Sequence, residues 1–148
     1  MSGVRDELSR LIFSYAERLD LGDLGGVAAL FEQASYGPAD GPMSRGAAAV
    51  EKILREFVIL YEDGTPRTKH LTSNLIVEVD ADGLGASVRS YFAVLQAVDG
   101  SPLQPIISGR YHDRFARGSS CWHFSERRIF MDLVGDLSRH LHSVPAPA

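Results

Sequence analysis

Only one cysteine, Cys121, stands among the 148 residues. It excludes an intramolecular disulfide and any multi-cysteine zinc site, fits a reducing compartment, and is expected as a small buried apolar residue. Positive charge is not in excess either. Fifteen Lys and Arg face nineteen Asp and Glu, a formal net charge of −4, and this leaves no electrostatic footprint for nucleic acid. No apolar run approaches the roughly 20 residues of a membrane span. The opening Met-Ser-Gly-Val-Arg-Asp-Glu passes into charged helix without the apolar core of a signal peptide, so a cytoplasmic protein is expected. There is no Gly-x-Gly-x-x-Gly, no Walker loop and no Gly-x-Ser-x-Gly elbow, so nucleotide binding and serine hydrolysis have no support. His140 and His142 sit two apart in the C-terminal tail, too weak a pattern to predict a metal.

What is present is patterning. Val4, Leu8, Leu11, Ile12, Tyr15 and Leu19 recur at three and four residue intervals and predict a helix over about the first twenty residues. Gly22 breaks it, and Asp23 is a good N-cap for a shorter second helix with Leu24, Val27, Leu30 and Phe31 inside. The Gly and Pro rich stretch 34–46 reads as a turn between two short extended pieces. A third helix is expected from about Ala47 to Tyr61. From Thr68 the period changes to about two, predicting four long strands near 69–80, 85–98, 104–117 and 121–134. Helices followed by an antiparallel meander make an α+β fold, with helices on one face of a curled sheet. One domain is expected over 1–142, with 143–148 as a flexible tail.

Against this pattern two residues carry the chemical interest. His70 opens the first long strand, and Asp20 ends the first helix. A neutral imidazole can take a proton near physiological pH, and a carboxylate on its other nitrogen would fix the tautomer and steady the imidazolium. Alone, a histidine is more often structural or solvated than a base, and Asp20 could be a plain loop acid. Thr72 and Asn74 share the His70 face if no bulge intervenes. Tyr15 could offer its hydroxyl to a ligand or only pack. Of Arg127 and Arg128, alternation sends one inward, where it could hold a carboxylate or an enolate. His112 and His123 read as solvent-side strand residues.

The element order, the segment Tyr15 to Asp20, Lys69-His70-Leu71-Thr72-Ser73-Asn74 and the last strand Trp122 to Arg128 resemble the SnoaL-like branch of the nuclear transport factor 2-like superfamily. That branch includes scytalone dehydratase, hexachlorocyclohexane dehydrochlorinase, bile-acid dehydratase and polyketide cyclases. The resemblance implies a cystatin-like, cone-shaped α+β barrel of three helices on a curled, mainly antiparallel sheet. It implies that His70 is the base and Asp20 its partner, with Arg127 as the inward arginine. Two departures limit it. A lysine of the dehydrochlorinase falls on Tyr15, and a second pocket histidine of scytalone dehydratase falls where this chain has Ser90, Tyr91 and Phe92.

The expectation is a lyase or isomerase of the dehydratase or cyclase type, needing no cofactor and no metal. Its substrate would be a small, apolar, cyclic molecule held by Phe31, Phe57, Asn74, Tyr91, Tyr111 and Phe130. The alternative is a non-catalytic binding or assembly module, comparable to the small subunit of a ring-hydroxylating dioxygenase. Apolar residues on both faces of the later strands (Ile106, Ile107, Tyr111, Phe115, Trp122, Ile129, Met131) predict a homodimer or homotrimer through the sheet face under either reading.

Overall fold

The structure is a computed structural model that describes residues 3–143. The tail expected at its end lies, beyond Ser143, outside the described residues. Helix α1 spans Val4–Asp20 and buries Leu8, Ile12, Tyr15, Ala16 and Leu19, the stripe that its spacing predicts. Asp6 and Glu7 in its first turn and Arg18 in its last complement the helix dipole. Gly22, at φ 76°, turns the chain; a Cβ there would lie 1.9 Å from the Gly64 carbonyl oxygen, so no larger residue fits. Helix α2 (Leu24–Ala29) starts at Asp23, whose carboxylate accepts the Gly26 N–H at 2.9 Å.

Strands β1 (Ser35–Pro38) and β2 (Ser44–Arg45) follow, then α3 (Ala47–Phe57) and the long strands β3 (Thr68–Val79), β4 (Gly85–Val98), β5 (Ser101–Arg117) and β6 (Trp122–Val134). The sheet order is β2-β1-β6-β5-β4-β3. Every neighbouring pair is antiparallel except β1 with β6, which is parallel. The expected α+β fold is present as a curled sheet that stays unclosed, with β3 and β2 as free edges, rather than as a barrel. The helices cover its inner face, and one apolar core fills the space between, from Leu8 and Ile12 of α1 through Phe31 to Val94, Tyr111 and Phe124 of the sheet.

Bulges decide which side chains reach that core. On β3 the register shifts between Ser73 and Ile76, and Asn74 takes φ 58°. Asn74 is therefore exposed and does not continue the face of His70 and Thr72. On β6 the register shifts between Phe124 and Glu126. Trp122 and Phe124 point inward, the bulge resets the parity, and Arg127 becomes the next buried residue while Arg128 turns outward. A bulge at Ile106 likewise buries Ile106 and Ile107 together. This corrects the premise of the sheet-face expectation, because Ile106, Ile107, Tyr111, Phe115 and Trp122 all belong to the core.

Two further expectations change. Helix α3 ends at Phe57, not at Tyr61, because Val58 becomes extended and bridges to Leu141. Cys121 is exposed in the turn before β6, where its carbonyl accepts the Gly118 N–H; the tight turn leaves its thiol no core to enter.

Candidate functional site

Asp20 is the last residue of α1, where the carbonyl ends of the helix disfavour negative charge. Its carboxylate is held instead by β3. Oδ1 lies 2.6 Å from His70 Nδ1 and accepts the Thr68 hydroxyl at 2.9 Å, and Oδ2 accepts the His70 backbone N–H at 2.9 Å. The side chains are nearly out of water, His70 at 6% exposure and Asp20 at 10%. Burial pushes the Asp20 carboxyl up, but the bonds from the His70 ring, from its backbone and from Thr68 together hold its pKa below the ordinary value. An ionised carboxylate can only accept, so Nδ1 carries the proton. Nε2 has no hydrogen-bond partner among the described residues. The contacts fix the orientation of the His70 ring. Arg67, just before β3, sits at φ 59° with its N–H on the Thr65 hydroxyl, a strained turn that sets Thr68 and His70 against the helix end.

A second histidine lies beside the first. His140, assigned to the tail by its position, is 6% exposed, and its ring centroid is 6.0 Å from that of His70 with the planes at 63°. The chain at 137–142 returns across the end of α3 and closes there. His140 O accepts the Ile59 N–H at 2.9 Å, and Phe57 O accepts the His142 N–H at 2.8 Å. Arg139 O accepts from Gln96 Nε2 at 3.0 Å and from the Tyr61 hydroxyl. Burial, with a smaller push from His70, pulls the His140 pKa down to about 4, so its ring is neutral near pH 7.

Deeper in the core lies a polar and aromatic floor. The Tyr15 and Tyr36 hydroxyls are 2.7 Å apart. Arg127, fully buried, gives Asp113 two bonds of 2.8 and 2.9 Å, with its guanidinium carbon 3.7 Å from the Tyr111 ring centroid and 4.3 Å from that of Tyr15. Burial alone would favour a neutral Asp113, but a guanidinium that cannot release its proton keeps the pair ionised. Burial opposes the charge on Arg127, and Asp113 more than restores it, so its pKa lies above the ordinary arginine value.

The predicted residues therefore separate. His70 and Asp20 meet. Tyr15 and Arg127 face inward; Tyr36 takes the Tyr15 hydroxyl and Asp113 takes Nε and Nη2 of Arg127, while Arg127 Nη1 is buried with no hydrogen-bond partner among the described residues. Phe31 and Tyr111 line the floor, with Phe31 against Phe124 at 4.8 Å and Tyr111 stacked on Phe92 at 4.4 Å. Phe57 is half-buried at the end of α3. Tyr91, 54% exposed, and Phe130, packed on Arg110 and His112, lie on the outer face; strand parity opposite to Tyr111 puts them there and removes them from any pocket with His70. Asn74 is lost to its bulge.

Thr68, Tyr36, Asp113 and His140 were missed. Asp113 left a signal in the two-residue period, flanked on one face by Tyr111 and Phe115. Leu137 and Leu141 at helical spacing hinted that the tail near His140 packs. Two surface hollows, of about 250 and 410 Å³, lie on the outer face near His112 and along α1 near Phe13, away from His70 and His140. Among the described residues no three His, Cys, Asp or Glu side chains converge as a metal ion would require. Nor is any helix there long and apolar enough to cross a membrane.

Comparison with known proteins gives the same picture of the fold. Among solved structures, the chain is similar to Rv3472, a protein of unknown function from Mycobacterium tuberculosis (27% identity, TM-score 0.71, covering 86% of this chain and 76% of that one). It is similar to ActVI-ORFA from Streptomyces coelicolor (21%, TM-score 0.73, 88% and 98%). A candidate scytalone dehydratase from Novosphingobium aromaticivorans also matches (23%, TM-score 0.71, 89% and 86%). A further neighbour from the same organism is described as nuclear transport factor 2-like with a cystatin-like fold. No curated protein sequence matches the chain. The sequence profile of the SnoaL-like domain matches residues 3–128, from the first turn of α1 to the inward arginine of β6 and its neighbour, and the chain belongs to the SnoaL-like family.

Proposed function

We propose that this protein is a lyase or isomerase of the dehydratase or cyclase type, working without a cofactor on a small cyclic molecule with an acidic C–H. His70 Nε2 takes the proton, and Asp20 steadies the imidazolium that forms. The observation that carries this reading is the 2.6 Å contact of Nδ1 with Asp20 in a nearly dry setting, which orients the ring and leaves one basic nitrogen. A positioned base contributes roughly 10²–10⁴ in rate, so the substrate must carry its own activation, a neighbouring carbonyl or phenolic ring. Similarity to a candidate scytalone dehydratase fits loss of water from such a ring. The reducing cytoplasm would keep the exposed Cys121 thiol free. Exposed Leu71, Tyr91 and Leu133 support pairing of subunits through the outer sheet face.

The test is proton exchange. Cyclic hydroxy ketones are incubated with the protein in D2O, and loss of the α-proton signal is followed by NMR. His70→Gln should slow exchange on the order of 10²-fold or more; equal exchange by the variant would remove the mechanism. The filled aromatic floor, with Tyr36 on the Tyr15 hydroxyl and Asp113 on two of the three Arg127 nitrogens, favours a second reading as a non-catalytic binding module. In that case the ketones bind and their protons do not exchange.

A further inference from the structure

We propose that His140 is a second catalytic residue of this site, a neutral imidazole that donates its N–H to the oxygen of an enolisable carbonyl or phenolic substrate while His70 removes the adjacent proton. The inference rests on the reading of His70 as the base, and it narrows the substrate to one bearing an oxygen next to its acidic C–H.

Three observations converge on it. The first is place. The two imidazoles have centroids 6.0 Å apart and planes at 63°, a separation on the scale of one H–C–C=O unit with its hydrogen bonds. The second is an unpaired atom. His140 Nδ1 is buried without a hydrogen-bond partner among the described residues, although hydrogen bonds to the backbone of 137–142 lock the residue in position. Leaving such an atom unmade costs about 1–3 kcal/mol, and a fold that pins the ring while orphaning its nitrogen keeps that bond for something else. The third is asymmetry of partners. Asp20 is bonded to His70 and leaves His140 without a carboxylate contact, so one ring is set to accept a proton and the other to remain neutral.

Among the described residues the titratable groups acting on His140 are His70 and Asp20, and burial outweighs both, which keeps its ring uncharged at neutral pH. In the step itself, His70 Nε2 takes the α-proton and the C–H electron pair moves onto the carbonyl oxygen. The resulting enolate oxygen accepts the hydrogen bond from His140, whose proton stays where it is. Collapse of the enolate expels a β-hydroxyl, which leaves as water with the proton held on His70. Atoms and charge balance, and no further reactant is needed.

The probe is nitrobenzisoxazole, a small cyclic carbon acid in which removal of the C–H proton breaks the N–O bond and places charge on a phenolate oxygen. His140→Phe keeps the ring volume and removes the donor; kcat should fall on the order of 10²-fold, with KM little changed. His140→Gln restores an uncharged N–H and should recover most of that loss, which restored packing alone would not do. Wild-type rates in His140→Phe together with an inactive His70→Gln would overturn the role of His140 and leave the base intact. An inactive wild-type chain whose histidine ring nitrogens also ignore added para-nitrophenol in ¹⁵N NMR would overturn both. Should His140→Phe not fold, the wild-type spectrum decides: the His140 ring N–H must move when para-nitrophenol binds, and a fixed resonance overturns the inference.

Discussion

Asp20 grips His70 with both carboxylate oxygens, one on the ring N–H at 2.6 Å and the other on the backbone N–H of the same residue at 2.9 Å. A single acid at a helix end thus fixes the position of a strand and the tautomer of its histidine. An acid at that end works against the helix dipole, a local conflict of the kind kept where function requires it.

Asp20→Asn should leave His70 in place but offer an amide where the carboxylate accepts the ring proton. The tautomer is then no longer fixed and the imidazolium loses its counter-charge. Turnover of nitrobenzisoxazole is expected to fall roughly 10²–10⁴-fold. Circular dichroism would check that the fold persists, and a rate within a factor of two of wild type would contradict the pairing.

Stability should depend on pH through His140. Its folded pKa of about 4 lies below the ordinary value of 6.5, so between those values the unfolded chain binds more protons than the folded one. Stability from this group is complete above pH 6.5 and is lost as pH falls toward 4. Urea unfolding at pH 7.5 and pH 5 should differ by about 2 kcal/mol more in wild type than in His140→Phe. Equal differences in the two proteins would show that the ring is not buried neutral.

The ion pair of Arg127 and Asp113 has a different signature. Either Arg127→Met or Asp113→Leu alone leaves one buried charge and should destabilise by about 3–5 kcal/mol, whereas the double variant should recover most of it. Denaturant midpoints of the four proteins make the cycle. A single variant costing under about 1 kcal/mol would place the pair in water rather than under Tyr15 and Tyr111.

The two faces of the sheet predict opposite outcomes for aromatic truncation. Phe31→Ala opens a hole among Tyr15, Tyr36 and Phe124 and should cost about 3–5 kcal/mol. Tyr91→Ala on the outer face should change monomer stability by about 0.5 kcal/mol or less. Similar losses at both positions would mean that the outer face is covered.

Much of this was legible in the chain. The three and four residue spacing of Leu8, Ile12, Tyr15 and Leu19 and the change to a period of two after Thr68 are local signals, and α1 and the four long strands follow them within a few residues. Asp23 capped the helix its side chain suits. Asn74, Tyr91 and Phe130 were misplaced because strand faces depend on bulges and parity that residue types do not reveal. Val50, Ile53, Leu54, Phe57 and Leu60 at helical spacing predict a helix as far as Tyr61, but the strand-like pairing of Val58 with Leu141 ends it at Phe57, a contact across more than eighty residues.

The amino-acid sequence by itself determined the α+β class and the family, and singled out His70 and Asp20 as a pair, because periodicity and side-chain chemistry are local properties. Only the tertiary structure decided that Arg127 rather than Arg128 faces inward, that Tyr36 bonds the Tyr15 hydroxyl and Asp113 two of the Arg127 nitrogens, and that His140 stands beside His70. Those outcomes depend on a register shift and on the return of the chain end across α3. Each is fixed by the packing of distant segments against one another, where neither segment alone carries the information.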